Sequence, residues 1–235
     1  METRKVAVIT GGSQGIGAGL VEAYRDLGYA VVANSRTIGA SEDDLVVNVP
    51  GDISTPAVAE AVITAALEAF GRVDTLVNNA GIFIAKPFLD YTQEDYDTAL
   101  SVNLGGFFHI TQKAVAHMTA QGSGHVVNIT TSLVEYANSN VPSALASLTK
   151  GGTSAVVKSL AIEFASRGIR FNAVSPGIIK TPLHAVEAHS TYAALHPVGR
   201  MGTIDDVVHG VLYLEQAPFV TGEFLHVDGG QSAGN

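Results

Sequence analysis

Residues 5–10 read K-V-A-V-I-T, a nearly unbroken apolar run rich in β-branched side chains, which predicts a short strand buried on both faces. Gly11 and Gly12 end it, and Ile16, Leu20, Ala23, Tyr24 and Leu27 then recur at helical spacing as far as Gly28, an expected helix stop. The same alternation predicts strands at residues 30–35 and 45–49, a helix over 56–70 and a strand at 75–78. Beyond these it predicts a long helical stretch over 92–119, a strand at 125–129, a helix over 147–166, and strands at 170–174 and 224–227. Strands alternating with helices imply parallel strands packed between two helical layers. The expected fold is therefore α/β, an open doubly wound parallel sheet flanked by helices, in a single domain of residues 1–235. Residues 176–203 break the rhythm and hold three of the eight histidines and three of the eight prolines, which suggests a lid, about 182–203, over the carboxyl ends of the strands.

Composition narrows the chemistry. With 235 residues, 46% of them hydrophobic, the chain supports one large core. It has no cysteine, which excludes disulfides, zinc–thiolate sites, iron–sulfur clusters and thiol nucleophiles. The eight histidines show no paired ligand spacing, so no metal site is expected. Thirteen Lys and Arg against 22 Asp and Glu give a net charge of −9, which argues against nucleic acid as a partner. The first residues, Met1 to Lys5, run into a strand too soon for a signal-peptide core, and no apolar run reaches membrane-spanning length; a soluble cytoplasmic protein with no membrane partner is expected.

The first strand–turn–helix reads Thr10-Gly11-Gly12-Ser13-Gln14-Gly15-Ile16-Gly17. Glycines at 11, 15 and 17 let the backbone turn tightly and approach a pyrophosphate, whose charge the amides at the helix start then hold. Asn78-Asn79-Ala80-Gly81 closes the fourth strand. Together with Asn103 in S-V-N-L-G-G, Lys150 in S-L-T-K-G-G, the segment Pro176-Gly177-Ile178-Ile179-Lys180-Thr181 and the C-terminal V-T-G-E-F-L-H-V-D-G-G, these motifs resemble the short-chain dehydrogenase/reductase family over almost the whole chain. The resemblance implies a Rossmann fold and hydride transfer to or from NAD or NADP.

By the same resemblance, Gly11, Ser13, Gln14, Gly15, Ile16 and Gly17 contact the cofactor phosphates, and Asp52 and Ile53 lie beside the adenine. Asn78, Asn79, Ala80 and Gly81 border the adenosine ribose, Lys150 binds the nicotinamide ribose, and Pro176, Gly177, Ile179 and Thr181 face the nicotinamide. The end of the second strand sets the choice of dinucleotide, because an acidic side chain there accepts from the ribose 2′-hydroxyl and repels a 2′-phosphate. Asn34-Ser35-Arg36 instead offers two neutral donors and a guanidinium, which favours NADP(H) over NAD(H). Only eight residues separate Arg36 from Leu45, too few for the full helix many relatives carry there, so the adenine side is expected to be open.

One part of the family pattern is missing. A tyrosine four positions before the active-site lysine is the family's proton donor, and that position here is Ala146, whose methyl neither donates nor accepts. The family's catalytic serine falls on Thr131, with Ser132 beside it, and the loop from there to Lys150 is slightly longer than usual. Either hydroxyl is a candidate for binding a substrate oxygen, and a water in the vacated space, held by Lys150 and Thr131 or Ser132, is one candidate proton source. Tyr136 on the lengthened loop is another, followed by Tyr192 and the lid histidines His184, His189 and His196. Asn103 and Lys150 form the surviving end of the family's proton relay.

The expectation is an NADP(H)-dependent oxidoreductase with an atypical site, acting on a small or medium carbonyl-like substrate: a ketone, an imine or an activated C=C. The alternative is a dinucleotide-binding protein with little or no catalysis, a sensor or silent subunit. The family also implies a homotetramer or homodimer, for which Val156, Val157, Leu160, Ala161 and Phe164 offer an apolar helix face.

Overall fold

The structure is a computed structural model that describes residues 4–234; the reading made at Met1, Glu2 and Thr3 lies outside the described residues. Strand β1 (Val6–Thr10) leads through the glycine turn into α1 (Gly15–Asp26), and β2 (Ala30–Ser35) and β3 (Val46–Pro50) follow. Then come α2 (Pro56–Phe70), β4 (Thr75–Asn78), α3 (Gln93–Ala99), α4 (Gly106–Gln121), β5 (Gly124–Ile129), α5 (Ala144–Phe164), β6 (Ile169–Pro176), α6 (His189–Ala193), α7 (Ile204–Gln216) and β7 (Phe224–Val227). All pair in parallel in one sheet of order β3-β2-β1-β4-β5-β6-β7. The order reverses between β1 and β4, and in open α/β sheets ligands bind in the crevice beyond the strand ends at such a switch.

Every residue of β1 is buried because helices cover both faces of the sheet. One face carries Val6, Val8 and Val32 with Val62, Ile110, Met118 and Phe171, while the other carries Ala7, Ile9 and Val31 with Leu20, Tyr24, Val211 and Leu214. The apolar helical faces read in the sequence thus meet alternate residues of the same strands. Among the described residues, no helix is long and apolar enough to cross a membrane.

Four expectations change. The stretch over 92–119 is not one helix, since a π turn (Leu100–Gly105) separates α3 from α4. Asn103 sits in it and spends its side chain on backbone elsewhere, a device that interrupts the i→i−4 ladder. Helix α7 was not anticipated, although Thr203 and Asp206 form a capping box that starts it and Val207, Val208, Val211 and Leu214 supply its buried stripe. The irregular segment after β6 carries the short α6, and a parallel bridge between Ile179 and Gly202 joins its two ends. On α5, Val157 and Ala161 lie in the core and Leu160 and Phe164 pack against it, while Leu148 (57% exposed) and Ile162 (80% exposed) face outward with Val156.

The short β2–β3 connection has no helix, as expected. It crosses as a strap held by Arg25 Nε to Asp43 Oδ2 (2.8 Å) at one end and by Asn48 Nδ2 to Gly39 O (2.7 Å) further along. Beneath it lies a groove of about 530 Å³ lined by Ser13, Val21, Ile38 and Val46 among others.

Candidate active site

The glycine turn is built for close approach. Gly11 and Gly15 take positive φ values of 68° and 57°, and a Cβ on Gly17 would stand 2.0 Å from the Gly11 carbonyl oxygen. Gln14 caps α1 without any side-chain hydrogen bond, so no capping side chain blocks the first-turn amides from an anion. The neighbouring turn is tied in: Thr10 Oγ1 accepts from the amides of Asn79 (3.1 Å) and Ala80 (3.0 Å), and Asn79 Nδ2 donates to the carbonyl oxygens of Thr10 (2.9 Å) and Gly11 (3.2 Å). Asn79 therefore shapes the cradle through the backbone. Thr181 closes the far side, its Cγ2 lying 3.4 Å from where a Cβ on Gly15 would be. This cradle fits a dinucleotide, with the pyrophosphate over Gly15 to Gly17 and backbone rather than side chains at closest approach.

At the end of β2, Ser35 Oγ lies 2.8 Å from Ser13 Oγ at the surface, and Arg36 is exposed. Asn34 is not a donor here: it is buried, and its amide donates to the carbonyl oxygens of Val49 (2.9 Å) and Gly51 (3.1 Å). Asp52 Oδ1 accepts from the Ser54 amide (2.9 Å), which turns the chain into α2 and leaves Ile53 packed against Gly106. Asn78 is buried too. It donates to Thr111 Oγ1 and Asn128 Oδ1, both at 2.9 Å, and so holds β4 to α4 and β5 rather than bordering a ribose.

Lys150, Asn103, Ala80, Ile53, Asn128 and Thr153 line one small, partly open cavity of about 20 Å³, room for a single water. Lys150 Nζ donates to the carbonyl oxygens of Thr130 (3.1 Å) and Ile129 (3.4 Å) at the end of β5. Burial pushes its pKa down to about 8, because the charged ammonium has lost water without gaining a carboxylate. Asn103 Oδ1 accepts from the Ile82 amide (2.9 Å), and its Nδ2 donates to Ile82 O (3.1 Å) and Thr149 Oγ1 (2.9 Å). Its side chain fixes the turn after Gly81 and reaches α5.

The structure separates the two candidate hydroxyls. Ser132 is 1% exposed and donates to Gln231 Oε1 at 2.8 Å, whereas Thr131 is half-buried and its oxygen accepts only a long bond from the Leu133 amide (3.4 Å). The Ser132 proton is thus spent on Gln231, while the Leu133 bond of Thr131 Oγ1 is one it accepts. Ala146, where the family has its tyrosine, is 2% exposed. The turn after β5 lies against α5 there, with Ser147 Oγ donating to Leu133 O (3.3 Å).

Of the other proton-donor candidates, His196 drops out. Its Nε2 accepts from the Ile178 amide and its Nδ1 faces Tyr192 O, both at 2.9 Å, so both ring nitrogens are engaged. It pins the segment after β6 against Gly177. His184 packs edge-on against Tyr192 at 5.2 Å, and burial and His189 lower its pKa. Tyr136 is half-buried on the loop beyond Thr131. Among the described residues no cluster of three or more His, Cys, Asp or Glu side chains could hold a metal ion.

Sequence reasoning missed Thr10, Thr149, Asn128 and Gln231. Thr10 had a signal in its place before the glycine turn, while the other three had none.

Known proteins resemble this chain in sequence and fold. The family described as enoyl-(acyl carrier protein) reductase matches residues 11–232. The 3-oxoacyl-(acyl-carrier-protein) reductase FabG of Thermotoga maritima is 33% identical over 244 residues, 96% of this chain and 97% of that protein. A solved structure of ElxO with NADP bound superposes with a TM-score of 0.92 at 29% identity, covering 98% of this chain and 100% of that one. A 3-ketoacyl-(acyl-carrier-protein) reductase from Brucella melitensis, complexed with NADH, gives 0.90 at 33% identity, covering 97% and 98%.

Proposed function

The chain belongs to the short-chain dehydrogenase/reductase family, and from that membership we propose that it is an NADP(H)-dependent oxidoreductase acting on a small or medium apolar carbonyl-like substrate, with Ala146 where the family has its tyrosine. The observation that carries this reading is the meeting of Lys150, Ala80 and Asn103 at the sheet's switch point, beside a glycine turn with an uncapped helix start. When bound, the nicotinamide supplies or accepts a hydride. Thr131 offers its hydroxyl to the substrate oxygen, and the proton comes from a water or a side chain other than residue 146.

NADP(H) is favoured over NAD(H) by the Ser13–Ser35 hydroxyl pair and by Arg36, which makes no ion pair among the described residues. A planar guanidinium beside two hydroxyls suits a 2′-phosphate. Exposed Leu183, Val186 and Val198 on the segment after β6 favour an apolar substrate under a lid. The outward Leu148, Val156 and Ile162 of α5, with Phe108 of α4, favour assembly as a homotetramer or homodimer.

A second reading rests on Ala146 itself, whose methyl has no proton to give. A site without the family's acid suits a protein that binds the dinucleotide without turning it over. Following NADPH oxidation against ketones, α-diketones, imines and activated alkenes separates the two. Turnover above the buffer rate supports the enzyme; tight NADPH binding with none on the whole panel supports the silent binder.

A further inference from the structure

We propose that His125, Asn172 and the segment leading into β7 form an acid-sensitive latch: protonating the His125 ring turns the Asn172 amide over, and the start of β7 lifts from β6. The latch lies at the end of the sheet away from the glycine turn, and it does not rest on the reading of the site. His125, near the start of β5, is 2% exposed. Its Nδ1 stands 2.8 Å from Glu215 Oε2 and its Nε2 3.0 Å from Asn172 Nδ2. The Asn172 amide has one orientation, because its Oδ1 accepts from the Glu223 backbone amide (3.0 Å). Its Nδ2 therefore faces His125 and also donates to Val220 O (3.1 Å). A ring nitrogen that meets an NH2 group must hold a lone pair, so the imidazole accepts at Nε2 and donates at Nδ1 to the carboxylate.

A second proton, on Nε2, would face those amide hydrogens. Turning Asn172 over gives that proton an oxygen, but it sets the NH2 group against the Glu223 amide and takes a donor from Val220 O. The cost falls on one short segment. Thr221 Oγ1 accepts from the Phe171 amide (3.1 Å), Gly222 N donates to Phe171 O (2.7 Å) and Ala173 N to Glu223 O (2.8 Å), which sews residues 220–223 to β6. Glu223 is exposed, so its freed amide finds water, and β7 ends the sheet with no strand beyond it. Arg170 holds the end of α7 in place meanwhile, through Leu214 O (2.8 Å) and Glu215 O (3.1 Å). The ionisable groups around the ring are Glu215 on α7, Arg170 on β6, Tyr24 on α1, Tyr29 ahead of β2, Glu223 ahead of β7 and Asp74 ahead of β4, the last paired with Arg72 (2.6 Å). Burial is the largest influence on His125 and holds its pKa below 6.5; Glu215 opposes this, and Arg170 adds to it. The closed latch excludes a proton that the opened one accepts, so opening becomes easier as pH falls below 6.5.

Amide hydrogen exchange of the full chain reads the latch, followed by mass spectrometry between about pH 5 and 8 with each rate divided by its intrinsic value. Glu215 stays ionised over that range. Peptides covering 217–227 should lose protection by up to about tenfold per pH unit below pH 6.5, while peptides from β1 and β4 hold theirs. His125→Gln places there an amide that can accept from Asn172 and donate to Glu215 but does not titrate, and it should make the protection of 217–227 independent of pH. Where that variant does not fold, nitrogen-15 spectra of the wild-type imidazoles decide. One ring should carry its proton on Nδ1 at about pH 8 and gain a second as 217–227 opens. Protection of 217–227 unchanged down to about pH 5, an equal loss in β1, the same loss in His125→Gln, or no ring with its proton on Nδ1 at about pH 8 each overturns the inference. All of these outcomes leave the oxidoreductase reading where it stands, since none measures dinucleotide binding or turnover.

Discussion

Ser132 and Gln231, 99 positions apart, are joined by a 2.8 Å hydrogen bond from Ser132 Oγ to Gln231 Oε1, and both side chains are buried. The bond fixes the turn after β5 to the segment after β7 and occupies the Ser132 hydroxyl, so the proposed contact with a substrate oxygen falls to Thr131. Ser132→Ala should cost about 1–3 kcal/mol by leaving the buried Gln231 Oε1 without its donor, with kcat/KM little changed. Thr131→Val should do the reverse, keeping the melting temperature while lowering kcat/KM by about 10²-fold. Urea unfolding and steady-state kinetics on the two variants decide it.

The surface cluster at the end of β2 predicts a cofactor-specific loss. Arg36→Ala removes a charge-assisted contact worth about 1.5–3 kcal/mol, so NADPH should bind about 10–100-fold more weakly while NADH affinity is unchanged. The NADPH affinity of the wild type should also fall with added salt more steeply than that of the variant. Fluorescence titration of both nucleotides reads each effect.

Ala146→Tyr forces a phenol into a position that is 2% exposed. The overpacking should cost about 1–3 kcal/mol, and the lengthened turn beyond Thr131 should become more open to proteolysis. Where the phenol reaches the cleft, it should raise carbonyl reduction by about 10²–10⁴-fold. Thermal denaturation, limited proteolysis and turnover with an α-diketone measure the three changes.

Acid stability should depend on one buried carboxylate at the opposite end of the sheet. Glu215 accepts from Tyr29 (2.8 Å), Thr75 (3.1 Å) and Tyr24 (3.2 Å), and His125 Nδ1 stands 2.8 Å from it. Burial alone would raise its pKa, but these donors outweigh it and bring it to about 2, below its usual 4.5. The carboxylate's contribution is therefore complete above pH 4.5 and is lost as pH falls toward 2. Burial also lowers the pKa of His125, so protonating that ring works against the fold in the same direction as pH drops below 6.5. Stability should decline on acidification, most steeply below pH 4.5, and Glu215→Gln should flatten the steep part. Denaturant midpoints across the pH range check it.

Assembly should depend on the exposed side of α5. Replacing Ile162, 80% exposed, by Asp should lower the mass in solution without changing the melting temperature of the separated chain. Light scattering coupled to size-exclusion chromatography provides the readout.

Much of the fold was legible because its determinants are local. The β-branched runs of β1 and β2, the glycine stop at 28 and the Pro56 start of α2 each specify an element from a few neighbouring residues. The π turn was not, because it depends on Asn103 reaching Ile82 and Thr149, 21 and 46 positions away. At the site, the glycine turn was readable from the spacing of its glycines, while Lys150 and the alanine at 146 stood out only through the family resemblance. The fate of Ser132 depended on Gln231, and that of Asn34 on the carbonyls of β3, long-range partners that no local pattern announces. Helix α7 is a different case, since its capping box and apolar stripe were both in view.

The strap between β2 and β3, held at Asp43 and Gly39 over an open groove, has a practical consequence. No helix runs along the strap, so residues inserted into it should extend into solvent with little loss of stability.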